Sequence, residues 1–277
     1  MTLHDMSWID NALSMVRKKR PLVLNITNFV VMNTTANALL ALGASPIMSH
    51  SIEDIEDLVP VADAIVINIG TLDEYFIYSM LKAVQLAKEY GKPVVLDPVG
   101  AGATKLRTRA ALMLLNSGGV KVVRGNFGEI SALAGAYGRT KGVEAAVYEG
   151  DKAARLASEV ASKYSVIAGV TGFVDYASDG VRVFSVELKK TSQSLEDVIK
   201  KVTGLGCIVS AIIGAFLAVE EPLKACIAGL AVFKATSFYA AGESPYPGSF
   251  HVKLYDWLYK INYEDIRSVV KVGSIES

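Results

Sequence analysis

The sequence predicts an α/β fold, a layered architecture with a mostly parallel central sheet and helices on both faces. Three observations carry that expectation. Short runs rich in Val, Ile and Leu recur with near-continuous apolarity, the pattern of strands covered on both sides. Longer stretches with helical spacing of apolar residues separate them. The connections are short, which sets successive strands side by side through right-handed crossovers.

The first strand is expected over 21–26 (PLVLNI), with a helix over 31–42. A second strand over 64–69 (AIVINI) leads to a helix over 73–90, where Phe76, Ile77, Met80, Leu81, Val84 and Ala87 share one face. Gly91 and Pro93 end that helix. A third strand over 93–97 (PVVLD) precedes a helix over 106–116. A fourth over 120–124 (VKVVR) precedes helices over 126–135 and 150–164, and a fifth follows over 165–170 (SVIAGV). Within 173–187, Asp179-Gly180 between two β-type runs signals a hairpin. From there the chain reads as helical, over 205–219, 222–241 and 250–261. No internal repeat, low-complexity tract or linker interrupts it, so one domain over 1–277 is expected.

Composition narrows the class. Hydrophobic residues make up 51% and charged ones 20%, which excludes a disordered chain. The 28 Lys plus Arg balance 28 Asp plus Glu, so no whole-molecule basic field exists for nucleic acid or anionic lipid. The two cysteines, Cys207 and Cys226, show neither metal-ligand spacing nor a disulfide framework. The N-terminal MTLHDMSWID lacks the apolar core of a secretion signal. The charge-free run 205–219 is shorter than the ~20 residues that span a bilayer, and Lys234 interrupts 225–241. A cytoplasmic protein without membrane attachment is expected.

Polar residues collect at strand ends. Thr203-Gly204-Leu205-Gly206-Cys207 opens an apolar helix, where exposed N–H groups and the helix dipole suit a phosphate. A tight loop is the alternative. Cys207 lies in that first turn, where the dipole favours thiolate and partial exposure would make the sulfur a base or nucleophile. A buried thiol is the alternative, and it is the reading for Cys226. Asp97 ends a strand and opens onto Gly100 and Gly102, placed to hold Mg²⁺ directly or through water, or to form a turn. Arg124 is placed for nucleotide phosphates, and Glu129 is either a second metal carboxylate or a first-turn acid. Thr171 is placed to donate to a phosphate, or forms a turn with Gly172. Asn25, Thr27, Asn28 and Asn33 lie on a strand-to-helix passage and suit a small polar heteroaromatic ligand, with inter-strand hydrogen bonding and helix capping as the alternatives; Met48 is an apolar wall of that pocket or a core methionine.

These segments resemble the hydroxyethylthiazole kinase family of the ribokinase-like superfamily. The resemblance spans nearly the whole chain: N-I-T-N-x-V-x-x-N-x-T-A-N, L-L-A-L-G-A-S-P-x-M, N-I-G-T-L, L-D-P-V-G-A-G-A-T, R-G-N, V-T-G-x-G-C and P-G-S-F occur in order. It implies a ribokinase-like fold and ATP- and Mg²⁺-dependent phosphorylation of 4-methyl-5-(2-hydroxyethyl)thiazole, a salvage step in thiamine biosynthesis. It also implies a homotrimer with substrate near subunit contacts. By the same resemblance, Asn28, Val30, Met48 and Gly204 contact the thiazole, and Arg124 and Thr171 bind ATP. Asp97 and Glu129 organise Mg²⁺, Gly204 and Gly206 form the anion hole, and Cys207 takes the base position. Cys where the wider superfamily has Asp implies a slow enzyme limited by chemistry. Leu205 stands where small residues are frequent, residues 187–202 are longer and more charged than usual, and His251 reads as a surface or packing residue rather than a catalyst. A pyrimidine-methanol kinase, a nucleotide-dependent dehydratase and a non-catalytic thiazole or nucleotide binder are the alternatives. N-I-T-N and A-S-P-I-M weigh against the first, and the retained Asp97, Arg124 and Glu129 against the last.

Overall fold

In the computed structural model, which describes residues 5–135, 146–190 and 192–275, α1 (Trp8–Lys19) leads into β1 (Leu22–Ile26) and α2 (Met32–Leu42). There follow β2 (Ser45–Met48), α3 (Ile52–Val61), β3 (Ala64–Asn68), α4 (Glu74–Glu89), β4 (Val94–Asp97) and α5 (Lys105–Asn116). Next come β5 (Val120–Asn126), α6 (Phe127–Ala134), α7 (Ala146–Tyr164) and β6 (Ile167–Thr171), then the hairpin β7 (Asp175–Ser178) and β8 (Val183–Leu188). The chain ends with α8 (Gln193–Ile199), α9 (Leu205–Leu217), α10 (Pro222–Glu243), α11 (Pro247–Lys260), α12 (Tyr263–Val269) and β9 (Val270–Ile275).

The strands form one sheet in the order β2-β1-β3-β4-β5-β6-β7-β8-β9. Pairing is parallel from β2 through β6 and antiparallel from β6 to β9. Six parallel strands therefore point their carboxyl ends to one edge, where an open α/β sheet offers its ligand crevice. Alternation along the strands sorts the core in two. Val23, Val66, Val95 and Val122 face α1, α2, α9, α10 and α11, whereas Leu24, Ile65, Ile67 and Leu96 face α3 to α7. Both faces are covered, which is why the parallel strands are apolar almost throughout.

Helix starts follow capping chemistry. Asp73 accepts from Phe76 N at 2.7 Å to start α4, and Asn126 with Glu129 forms a capping box on α6. The helix α10 is long and apolar enough to cross a membrane by length and composition, yet it lies mostly buried against α9 and α11.

Several elements depart from expectation. The stretch after the hairpin is not wholly helical: β9 pairs antiparallel with β8, from Val183↔Ile275 to Leu188↔Val270. β2 falls within the L-L-A-L-G-A-S-P-x-M motif and is a strand that the sequence reading did not mark. Each of these two strands forms an outer edge of the sheet, and each carries a residue of weak strand propensity, Pro46 in β2 and Gly273 in β9. An edge strand lacks the two-sided apolarity that marks a central one. α1, α3 and α12 are helices that the sequence reading did not mark. The described residues of the charged stretch 187–202 include the end of β8 and the short helix α8.

Candidate active site

The carboxyl ends of β1, β3, β4, β5 and β6 bring their terminal residues together. Register sets Asn68 beside Asp97, and Asn126 beside Thr171. A chain of hydrogen bonds runs across the strand ends. Asn28 Nδ2 donates to Asn68 Oδ1 at 2.7 Å, and Asn68 Nδ2 donates to Asp97 Oδ2 at 3.0 Å. Ser210 Oγ, from α9, donates to the same Asp97 oxygen at 2.9 Å. The Asn28 amide also donates to Cys207 Sγ at 3.7 Å, so the thiol closes the network.

α9 enters this edge by its N-terminus. Gly204 caps it at φ +81, a left-handed backbone that a side chain would strain, and no side chain caps the first turn. Its first N–H groups thus lack side-chain partners and face the crevice with the positive end of the dipole. Arg124 lies behind them. Its Nη1 donates to Gly206 O at 2.9 Å and its Nη2 to Thr171 Oγ1 at 2.6 Å, while Asp97 Oδ2 stands 4.0 Å away.

Two cavities meet at this point. A smaller one of about 350 Å³ is lined by Asn28, Val30, Asp97, Arg107, Glu129 and Cys207. A larger one of about 610 Å³ is walled mainly by apolar side chains, among them Leu188, Leu195, Ile199, Val209 and Phe233. They share Arg124, Gly204 and Gly206. α8 supplies part of the larger wall, which gives the charged stretch 187–202 a place. The loop after β6 is fastened over this cavity: Asp175 accepts from Gly172 N at 3.0 Å, and Lys234 Nζ lies 3.3 Å from Asp175 and donates to Phe173 O at 3.0 Å.

Burial dominates the electrostatics. It pushes the Asp97 carboxyl up to about 7; the Arg124 charge pulls down, the Glu129 charge pushes further up, and the bonds from Ser210 and Asn68 pull down. The Cys207 thiol is pushed up to about 12, first by burial and then by the Asp97 charge. The expectation that the helix terminus lowers this thiol, with partial exposure, is therefore corrected. Cys207 is only 9% exposed and sits beside a carboxylate, and those two effects outweigh the dipole.

Most of the sequence-marked residues converge here. Asn28, Val30, Gly204, Gly206, Asp97, Arg124, Glu129 and Cys207 line the smaller cavity, and Thr171 lines the larger. Met48 does not join them: it is half-buried at the end of edge strand β2, paired with Asn25 and outside both cavity walls. Cys226 is fully buried in the core, and His251 packs against Tyr255, as expected of each. Sequence reading missed Asn68, Ser210 and Arg107. Asn68 ends a parallel strand, a signal that singles it out in retrospect. Ser210 is hidden inside an apolar helix and only its i+3 spacing from Cys207 marks it.

The donor set fits a magnesium ion. Glu129 Oε1 accepts from Gly100 N at 2.9 Å and Oε2 from Asn126 N at 2.8 Å, which fixes its carboxylate near enough to raise Asp97. Two carboxylates that repel across one cavity are relieved by a dication. Among the described residues no group of three or more His, Cys, Asp or Glu gathers.

The Hydroxyethylthiazole kinase family model matches residues 13–264. A hydroxyethylthiazole kinase of Pyrococcus abyssi is 56% identical over 270 residues, covering 98% of this chain and 99% of that one. The solved hydroxyethylthiazole kinase of Pyrococcus horikoshii OT3 superposes with a TM-score of 0.89 at 52% identity, over 98% of this chain and 100% of its own. A pyridoxal kinase of Staphylococcus aureus, solved with pyridoxal, has a TM-score of 0.62 at 16% identity, over 93% and 99% of the two chains, and shares the fold alone.

Proposed function

Because the chain belongs to the hydroxyethylthiazole kinase family, we propose that it transfers the γ-phosphoryl group of ATP to the primary hydroxyl of 4-methyl-5-(2-hydroxyethyl)thiazole. The new bond joins the hydroxyl oxygen to phosphorus as the bridging bond to the β-phosphate breaks. ADP leaves with that electron pair, and the hydroxyl proton is released. The observation that carries this reading is the junction of the two cavities at the N-terminus of α9, shared through Arg124, Gly204 and Gly206. The smaller cavity takes the alcohol and the larger takes the nucleotide.

Roles follow from position. Asn28 and Val30 face the thiazole, and Gly204 and Gly206 offer N–H groups to the phosphoryl oxygens. Arg124 and Thr171 stand where the cavities join and serve the ATP phosphates. Asp97 and Glu129 would hold Mg²⁺. When bound, the ion supplies charge neutralisation on the β- and γ-phosphates. Cys207 occupies the base position but is protonated at neutral pH, so only its minor thiolate form accepts the hydroxyl proton; positioning carries most of the reaction, and turnover is limited by chemistry.

The same reading has the chain act as one domain within a cytoplasmic homotrimer. Phe29 and Val30, 57% and 61% exposed, follow Asn28 at the cavity mouth and support a subunit contact there. Across such a contact Met48 reaches a substrate that its own chain's cavity does not give it.

The test is incubation of the protein with ATP, Mg²⁺ and the thiazole alcohol, with mass detection of the phosphate ester. Cys207→Ala and Cys207→Asp are run beside it. The expected result is ester from the unmodified protein, less from Cys207→Ala, and an equal or higher kcat from Cys207→Asp. An indifferent Cys207→Ala removes the base role and leaves the kinase. Thiazole binding without ester makes the protein a binder.

A further inference from the structure

Two arginines line the smaller cavity, and they differ in what they already hold. The Arg124 guanidinium already donates to Gly206 O and Thr171 Oγ1 and stands beside Asp97, which leaves its buried Nε without a partner among the described residues. Arg107 is half-buried in the first turn of α5 and, among the described residues, its guanidinium makes one hydrogen bond, from Nη2 to Gly70 O at 2.7 Å. Among the described residues no carboxylate lies within ion-pair distance of it, although Asp97 and Glu129 line the same cavity. An arginine carries five N–H donors and a permanent charge, so most of its donors here lack a protein acceptor.

The surroundings are shaped for this side chain. Gly100 has φ +73, and a Cβ built on it would run into the Arg107 guanidinium. No acid stands in the first turn of α5 to offset a cation placed at the positive end of the helix dipole. The position costs stability and gathers positive potential at one wall of the cavity. That wall is the acceptor side. A Cβ on Gly70, whose carbonyl Arg107 holds, would meet Asn28 Nδ2 at 2.7 Å, and the Asn28 amide in turn touches Cys207.

Resting on the reaction read above, we propose that Arg107 binds the phosphoryl group from the acceptor side. Its free N–H groups donate to non-bridging oxygens of the group in transfer and of the phosphate ester that forms. The arginine neither gives nor takes a proton; it holds negative charge that the alcohol lacks and the product keeps. Its contribution is therefore larger for the ester than for the alcohol.

Calorimetric titration of Arg107→Gln and Arg107→Lys with the thiazole alcohol and with its phosphate ester, beside kcat with MgATP, tests this. In Arg107→Gln, alcohol affinity stays within about 2-fold, ester affinity falls about 10-fold or more, and kcat falls about 100-fold. Arg107→Lys restores part of the ester affinity. The alcohol titration also reports that each variant is folded. Equal loss of alcohol and ester affinity would overturn the proposal, since it would mark Arg107 as a prop for the Gly70–Asn28 loop. Unchanged ester affinity with normal turnover would overturn it too and leave the kinase reading intact. If the unmodified protein bound neither ligand and formed no ester, the reaction itself would fall, and this proposal with it.

Discussion

Asp97 takes its properties from its neighbours more than from its own chemistry. Burial holds its carboxyl at about 7, against an ordinary 3.8, so the folded protein keeps a proton there that the unfolded chain gives up. This contribution to stability is fully present below about pH 3.8 and is lost as pH rises through about 7. In metal-free protein, Asp97→Asn removes the loss, because the amide is neutral at every pH. Its Tm relative to wild type is expected to climb between pH 5 and pH 8 by calorimetry, while turnover is lost. A flat difference would show that Arg124 and the bonds from Ser210 and Asn68 keep the carboxylate fully charged. At this scale the sequence was legible where a residue type coincides with a strand end, as for Asn28, Asp97, Arg124 and Thr171. Cys207 shows the limit. Its place in a first turn was visible, but the burial and the adjacent carboxylate that reverse its pKa are properties of the packed site. Arg107 lies inside a helix whose cavity-facing side only the tertiary structure defines.

Among the elements, α9 has the most exacting role, because one turn of it serves both cavities. Gly204 is where that turn is most easily disturbed. A Cβ there lies 2.8 Å from Val31 Cγ1 in a backbone at φ +81, so Gly204→Ala combines a left-handed penalty of about 1–2 kcal/mol with a clash. The first turn of α9 must shift against α2. The expected outcome is a lower Tm and a kcat reduced about 10-fold or more, read by calorimetry and steady-state kinetics. Central strands were legible from their continuous apolarity, and α4 from its spacing with Gly91 and Pro93 behind it. β2 and β9 were not, since each is an edge strand buried on fewer sides, and tertiary pairing rather than local propensity makes it a strand. The charges of 187–202 also concealed α8, whose apolar Leu195 and Val198 turn inward.

For the molecule as a whole, the nine-stranded sheet depends on its two edges being closed off. Removing residues 270–277 uncovers the edge of β8 from Val183 to Leu188 and takes away the buried Val270 and Val272 that pack beside it. Light scattering on heating is expected to rise and Tm to fall, because an unpaired edge with apolar neighbours recruits other chains. A soluble, unchanged truncation would show that β9 is dispensable to the edge. The two cavities have a consequence of another kind. One is built from the segments around residues 28–31, 70 and 97–107, and the other from 171–175, 188–202 and 233–237; they join through three residues. Acceptor choice and nucleotide choice are thus separable traits. Val30→Ala is expected to act on the KM for the alcohol and Phe233→Ala on the KM for ATP. The double variant should match the sum within about 0.5 kcal/mol. A lineage could then exchange one substrate for another by drift in one wall, without renegotiating the other, so long as Arg124 and the two glycines of α9 stayed in place.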